Sequence, residues 1–209
     1  MRMKLNHYHF PVLPSTQRFA RQYMHGLRPG YAVDEWFLFS ADSQTQGEGT
    51  HKRPWYSPPG NLCATFAFCL PKTNKDMLIH ISQVSVVSVA EAVEALAHIK
   101  PTVKWINDLL IHQKKLAGIL CESFSVPVFA GYYVILVGIG LNVSLSPKDC
   151  KKIDQPATSL AIETGKTLAI EPLLSQIHIN LHHNIHRLRE EGFDYFSDRL
   201  AYFELKMLS

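Results

Sequence analysis

Apolar positions along the chain fall into alternating segments of helical and strand period. Ser15 precedes Phe19, Ala20 and Tyr23, and Gly26 closes the run, so a side-chain cap and a glycine stop predict a short helix between them. Val33 to Phe39 reads as a strand. It runs into Asp42 to Gly60, a polar stretch with glycines and prolines and neither period, which predicts a loop of functional length. Asn61 to Leu70 has the β-rich, apolar look of a buried strand, and Met77 to Ile99 predicts a helix whose Val86, Val89, Ala90, Val93 and Leu96 share one face. Thr102 to Trp105, Leu109 to His112, Leu116 to Glu122 and Tyr132 to Val143 are further strand candidates with short connections. From Thr158 the period turns helical, and Leu174, Ile177, Leu181, Ile185 and Leu188 make a stripe that should pack on a sheet. The sum is an α/β (α+β) fold, a mixed central β-sheet flanked by helices, in one domain over residues 1–209.

Composition narrows the classes. A chain of 209 residues, 46% hydrophobic and 19% charged, can bury one substantial core and is too apolar to be disordered. Lys plus Arg exceed Asp plus Glu by 21 − 18 = 3, too small a bias to imply a nucleic-acid partner. Cys63, Cys69, Cys121 and Cys150 form no Cys-x-x-Cys pair and read as reduced, mostly buried thiols. Asn6, His7 and His9 interrupt the start where a secretory signal needs an apolar run. Tyr132 to Val143 is shorter than the roughly 20 residues of a membrane span, and the apolar run around Ile79 to Leu96 is broken by His80, Gln83 and Glu91. A cytoplasmic protein with no membrane partner is therefore expected. His178, His182 and His186 recur every fourth residue, a spacing that aligns imidazoles for a metal, but they follow the apolar stripe by one position and read as its half-buried shoulder.

Three segments carry candidate chemistry. The first is Gln44-Thr45-Gln46-Gly47-Glu48-Gly49-Thr50-His51-Lys52-Arg53-Pro54-Trp55, where glycines allow close backbone approach and Trp55 offers a flat apolar wall; alone, such a loop is more often a turn. The second is Lys104-Trp105-Ile106-Asn107-Asp108, with Lys114-Lys115-Leu116-Ala117-Gly118 after it. It sets Lys115 at the mouth of a strand made for burial, able to neutralise a carboxylate and an α-phosphate, with room over Gly118 for a substrate; Lys114 reads as a solvated hairpin lysine. The third, Val137-Gly138-Ile139-Gly140-Leu141-Asn142-Val143, ends an apolar strand in small residues and an amide that suits a nucleotide edge, and fits a glycine-relieved core strand equally well.

In this order and at these separations the segments resemble the catalytic domain of biotin–protein ligases, from Ser15 to about Leu200. The resemblance implies the fold of the class II aminoacyl-tRNA synthetase core and the biotin and lipoate ligases. It also implies synthesis of biotinyl-adenylate from biotin and ATP with magnesium. By position, Ser15, Thr16 and Gln17 fall on the family's Ser-Thr-Asn biotin segment, Gln17 one carbon longer, and Gln44 on the glutamine that opens the adenylate loop. Gly47, Glu48, Gly49, Thr50, Trp55 and Gly118 fall on the biotin pocket, Lys115 and Arg53 on the catalytic basic residues. Asn107, Asp108 and Asn142 fall on ATP-binding positions, Asp108 with a magnesium role. The family loop reads Gly-Arg-Gly-Arg, whereas Glu48 and Thr50 stand here at the arginine positions, and Ile106 replaces a proline. A monofunctional type without the winged-helix repressor domain is expected, with the family's small carboxy-terminal β-barrel absent after Ser209.

The resemblance makes the biotin carboxyl-carrier protein the expected acceptor; separately, a homodimer is possible through a sheet edge, with no residue pattern calling for it. Two other readings stay open. A lipoate or octanoate transferase on the same fold would want a longer, less polar slot, and Gln44 and Trp55 argue against it. A non-catalytic biotin or adenylate binding module is the lesser alternative, made plausible by Glu48 and Thr50 and by the expected lack of the end domain.

Overall fold

The computed structural model describes residues 4–204, so residues 1–3 and 205–209 of the expected domain lie outside the described residues. The elements are β1 (Leu5–Leu13), α1 (Thr16–His25), β2 (Trp36–Glu48), β3 (Pro54–Ser57), β4 (Leu62–Pro71), α2 (Leu78–Ala97), β5 (Thr102–Lys104), β6 (Asp108–Ile111), β7 (Lys114–Phe124) and β8 (Tyr132–Leu141), then α3 (Pro147–Cys150), α4 (Leu160–Thr164), α5 (Ile170–Glu191) and α6 (Ser197–Phe203). The eight strands form one sheet in the order β1-β2-β4-β8-β7-β6-β5, with β3 on β2. β1 runs parallel to β2 and the remaining pairs are antiparallel, which makes the sheet mixed, as the sequence predicts.

Alternation along the strands divides the apolar residues between two cores. Phe37 and Phe39 of β2 face α1, where they meet Ala20 and Met24. Trp36 and Leu38 face the other way, into a larger core with Val84 and Val87 of α2 and Ile177 and Leu181 of α5. The expected stripe on α5 is buried along its length, and Asn184 beside it donates to Ser88 Oγ of α2 at 3.0 Å. α2 with the turn before it is long and apolar enough to cross a membrane; here it is a core helix, with Val86, Val89, Ala90 and Val93 fully buried. His178 and His182 lie half-buried against Trp36, and His186 is exposed. All four cysteines are free, and burial pushes the thiols of Cys63, Cys69 and Cys121 up to about 11, 12 and 12.

Two expectations fail in the same region. The strand foreseen over Val33 to Phe39 starts at Trp36 and continues to Glu48, and β3 then folds back on it, so most of the expected loop Asp42 to Gly60 is a bulged hairpin. β1 is a strand where polar residues gave no strand signal. Its register puts Tyr8 beside Phe39 and His9 beside Ser40 along one edge of the sheet.

Candidate active site

The two central strands β7 and β8 lose their side chains where the site lies. Gly118 and Gly140 are register partners, with Gly138 two positions along β8. The Trp55 indole of β3 lies across this bare strip: a Cβ added at Gly140 would come within 2.4 Å of the ring and one at Gly118 within 3.1 Å. The space expected over Gly118 is therefore filled by Trp55 itself. At Gly138 the Gln17 carboxamide fills the same role, 2.4 Å from a Cβ position.

Around this strip the fold closes a slot. The start of α1 supplies Ser15, Thr16 and Gln17, β2 supplies Gln44 and Glu48, the turn after it Gly49 and Thr50, and β6 and β7 supply Asp108, Lys115 and Gly118, with Asn107 just before β6. The cavity left among them is about 40 Å³, room for a few waters. Running from Lys115 to Leu120 along β7, the slot is about 17 Å long at the strand rise per residue.

One end is ionic. Lys115 Nζ stands 2.8 Å from Asp108 Oδ1, both side chains largely buried, and 5.4 Å from the centre of the Trp55 ring. Asn107 beside them donates to the Ile119 carbonyl at 3.1 Å. The other end is a chain of neutral polar groups. Ser15 caps α1, its Oγ accepting from Arg18 N. Thr16 donates to Gln44 Oε1 through its amide at 2.8 Å and its hydroxyl at 3.2 Å, and Gln44 Nε2 donates to Ser57 Oγ at 2.9 Å. Thr65 Oγ1, fully buried, lies 3.0 Å from Thr16 Oγ1 and 3.2 Å from Gln17 Oε1. Glu48 is tied to the Arg18 guanidinium, which also donates to Gln46 Oε1 at 2.9 Å.

Three of the predicted residues stand outside the slot. Gly47 sits under the hairpin bulge, where a Cβ would meet the Trp55 carbonyl at 2.5 Å, so its role is to let β2 and β3 approach. Arg53 folds back on its own turn, donating to Thr50 O at 3.3 Å and Thr50 Oγ1 at 3.1 Å, and with Gly47 lines an outer cavity of about 470 Å³. Asn142 is buried and its amide nitrogen is committed to the Lys115 and Thr158 carbonyls at 3.3 and 3.0 Å. It lines a recess on the far side of Trp55 and Lys115, together with Tyr56, Ile153 and Gln155.

Sequence reasoning missed Thr65, Ser57, Tyr56 and the segment after β8. Thr65 had a signal: it is the hydroxyl in an otherwise apolar run, Leu62 to Leu70. The segment had none, since it reaches the site by backbone bonds, Lys115 N to Pro156 O at 2.8 Å and Thr158 N to Lys115 O at 3.0 Å. Lys152 fastens the start of that segment, donating to Tyr56 Oη at 2.9 Å and Asp149 Oδ1 at 2.8 Å. Lys152, with Ser146, holds the Asp149 carboxyl below the usual carboxylate range.

A mixed sheet flanked by helices, with a glycine-bared slot that is ionic at one end and amide-lined at the other, places the chain in the class II synthetase-like fold. The sequence profile of the Biotin/lipoate A/B protein ligase family matches residues 10–142, and the chain belongs to that family. It is 32% identical over 158 residues to the bifunctional ligase/repressor BirA of Bacillus subtilis, covering 75% of this chain and 46% of that protein. It is 32% identical over 154 residues to the biotin–[acetyl-CoA-carboxylase] ligase of Paracoccus denitrificans, covering 71% and 61%. The chain thus spans about half the length of the curated relatives it matches. Among solved structures, the biotin protein ligase from Aquifex aeolicus in complex with biotin and ATP superposes with a TM-score of 0.76 at 27% identity, over 97% of this chain and 79% of that one.

Proposed function

We propose that this chain is the catalytic domain of a cytoplasmic biotin–protein ligase, which makes biotinyl-5′-AMP from biotin and ATP and passes the biotinyl group to a lysine of a biotin carboxyl-carrier protein. The observation that carries the reading is the polarity of the slot. A ligand with a carboxylate at one end and a urea at the other meets Lys115 with its acid, while its head reaches Thr16, Gln17 and Gln44. Those groups already bond to one another and to Ser57, Thr65 and Glu122, so the slot is polar without a ligand; a urea can use the lone pairs they have left, whereas a lipoyl or octanoyl chain would cover them with nothing in return.

The chemistry follows from the ionic end. The biotin carboxylate attacks the α-phosphorus of ATP, forming a mixed anhydride as pyrophosphate leaves. Two anions must approach, and Lys115 supplies the neutralising charge. The nucleotide belongs in the recess of Asn142, Tyr56 and Ile153 beyond Trp55, with Arg53 reaching its phosphates from the outer cavity. Asp108 is the carboxylate offered to magnesium. Asp108 already pairs with Lys115, and a magnesium ion held there would supply charge neutralisation on the phosphates. The acceptor amine then attacks the acyl carbon and AMP leaves. The indole covers the strip over Gly118 and Gly140 and so forms one wall of the slot that biotin would enter, with Glu48, Gly49 and Thr50 lining the slot beside it.

Incubation with biotin and α-labelled ATP should yield labelled biotinyl-adenylate and pyrophosphate, and no adduct with lipoate. Lipoyl-adenylate formed faster than biotinyl-adenylate would overturn the assignment, and binding without either product would make the chain a non-catalytic module.

A further inference from the structure

Beneath the amide end of the slot lies a set of charged groups that the reaction itself does not use. Arg21, one turn along α1, forms a bidentate pair with Glu122 of β7: Nε donates to Oε2 at 2.8 Å and Nη2 to Oε1 at 2.6 Å. Glu122 Oε1 in turn accepts from Gln17 Nε2 at 3.1 Å, and the Leu120 carbonyl lies 3.4 Å from the same nitrogen. Gln17 is 3% exposed and pressed onto Gly138. Both neighbours on that side are acceptors only, a carboxylate and a peptide carbonyl, so chemistry fixes the orientation of the amide. Its NH₂ must face Glu122, and its oxygen must face Thr65 and the slot.

We infer that the Arg21–Glu122 pair is a specificity-determining positioning device: it holds the Gln17 carboxamide with its oxygen toward the ligand, so that the slot's blind end accepts a group bearing N–H, such as the urea of biotin, and disfavours heads with none. Arg21 contributes by fixing Glu122 through both its oxygens; a rotating carboxylate would leave the amide free to turn over. Thr65 reinforces the arrangement, because its hydroxyl can donate to the Gln17 oxygen at 3.2 Å while that oxygen keeps a second lone pair for the ligand. The inference rests on the biotin-ligase reading and names residues of its selectivity.

The test reverses the polarity of the support while keeping the ion pair. In the double variant Arg21→Glu with Glu122→Arg, a donor replaces the acceptor beside Gln17, the amide turns over, and its NH₂ faces the slot. The expected result is a Kd and KM for biotin raised about tenfold or more, with kcat at saturating biotin and the thermal midpoint close to wild type. The Kd ratio of lipoate to biotin should fall by a similar factor. Arg21→Met, which frees Glu122 without reversing it, should give a smaller rise in biotin KM. Biotin and lipoate Kd values in the double variant within twofold of wild type would overturn the inference while leaving the ligase reading standing. A wild-type chain that binds neither acid would overturn the reading and this inference together. Loss of kcat with unchanged biotin Kd would assign the pair to catalysis instead and also overturn it.

Discussion

Replacing Lys115 with alanine removes two things at once, and the structure separates them. At 2.8 Å the Lys115–Asp108 pair is worth about 1.5 kcal/mol in bulk water and about 6 kcal/mol at a protein-surface dielectric. Because the side chains are 12% and 17% exposed, the stranded Asp108 carboxylate regains some hydration, and a net loss of about 2 kcal/mol is expected. For a chain of this size that is a fall in thermal midpoint of about 4–8 °C. The catalytic loss is separate. A cation aimed at charge that develops in the transition state contributes about 10²–10³ in rate, so biotin-dependent ATP–pyrophosphate exchange should drop by that factor in protein kept well below its midpoint. Adding Asp108→Asn to Lys115→Ala removes the stranded charge and should restore most of the thermal loss without restoring exchange. Lys114→Ala, on the exposed neighbour, serves as the silent control. Exchange by Lys115→Ala within a few-fold of wild type would refute the role given to this lysine, whatever its stability.

Gly140→Ala should drive the Trp55 ring off the sheet, since the new methyl would stand 2.4 Å from it; biotin affinity should fall at least about tenfold, and an unchanged Kd by Trp fluorescence titration would count against the slot. Glu48→Arg with Thr50→Arg should tighten ATP and biotin and slow release of the adenylate, although the change also removes the ion pair between Glu48 and Arg18; equal release rates measured by adenylate trapping would show that both positions point away from the ligand. His178 makes folding sensitive to acid. Burial, with His182 and His7 nearby, lowers its pKa from 6.5 to about 4, and its Nε2 has no partner. Protonation therefore favours the unfolded chain, and stability that is full above pH 6.5 is lost as pH falls towards about 4. The loss is about 1–2 kcal/mol after discounting for the ring's partial exposure. His178→Phe should flatten that part of the stability–pH curve, and an unchanged slope in urea titrations would point to another group.

The fold was legible wherever one face of an element meets a core. α1 is bounded by the Ser15 cap and the Gly26 stop, and the stripe on α5 is buried at each expected position. Patterning failed where a strand faces something other than apolar neighbours. β1 is an edge strand, so Asn6, His7 and His9 sit on it without penalty: Asn6 donates to Glu35 at 2.8 Å, and both histidines reach the Ser40 hydroxyl. The second half of β2 and β3 give a polar slot Gln44, Glu48 and Trp55, and Gly47 sits under the bulge between them, so apolar alternation is lost and a hairpin reads as a loop. A functional site breaking the local rule in this way is the expected place for sequence reading to fail.

The site was legible in its parts and not in its couplings. Lys115, Asp108, Gln44 and Trp55 are visible as residue types out of keeping with their strands, and the fold brings them into one slot. What sets their chemistry comes from far along the chain. Glu122 reaches Gln17 and Arg21 across separations of 105 and 101 residues, and Arg18 meets Glu48 across 30. No period or motif relates such positions; only the sheet order, with α1 lying across β2, β4 and β8 and its side chains reaching β7 beside β8, makes them neighbours. The glycines show the same limit from the other side. Gly138 and Gly140 were equally consistent with a relieved core strand, and the difference lies in what presses on them, a glutamine amide and an indole rather than another apolar layer. A small residue in a central strand thus becomes evidence for a site only once the group occupying the missing side chain's place is known to be polar or to wall a cavity.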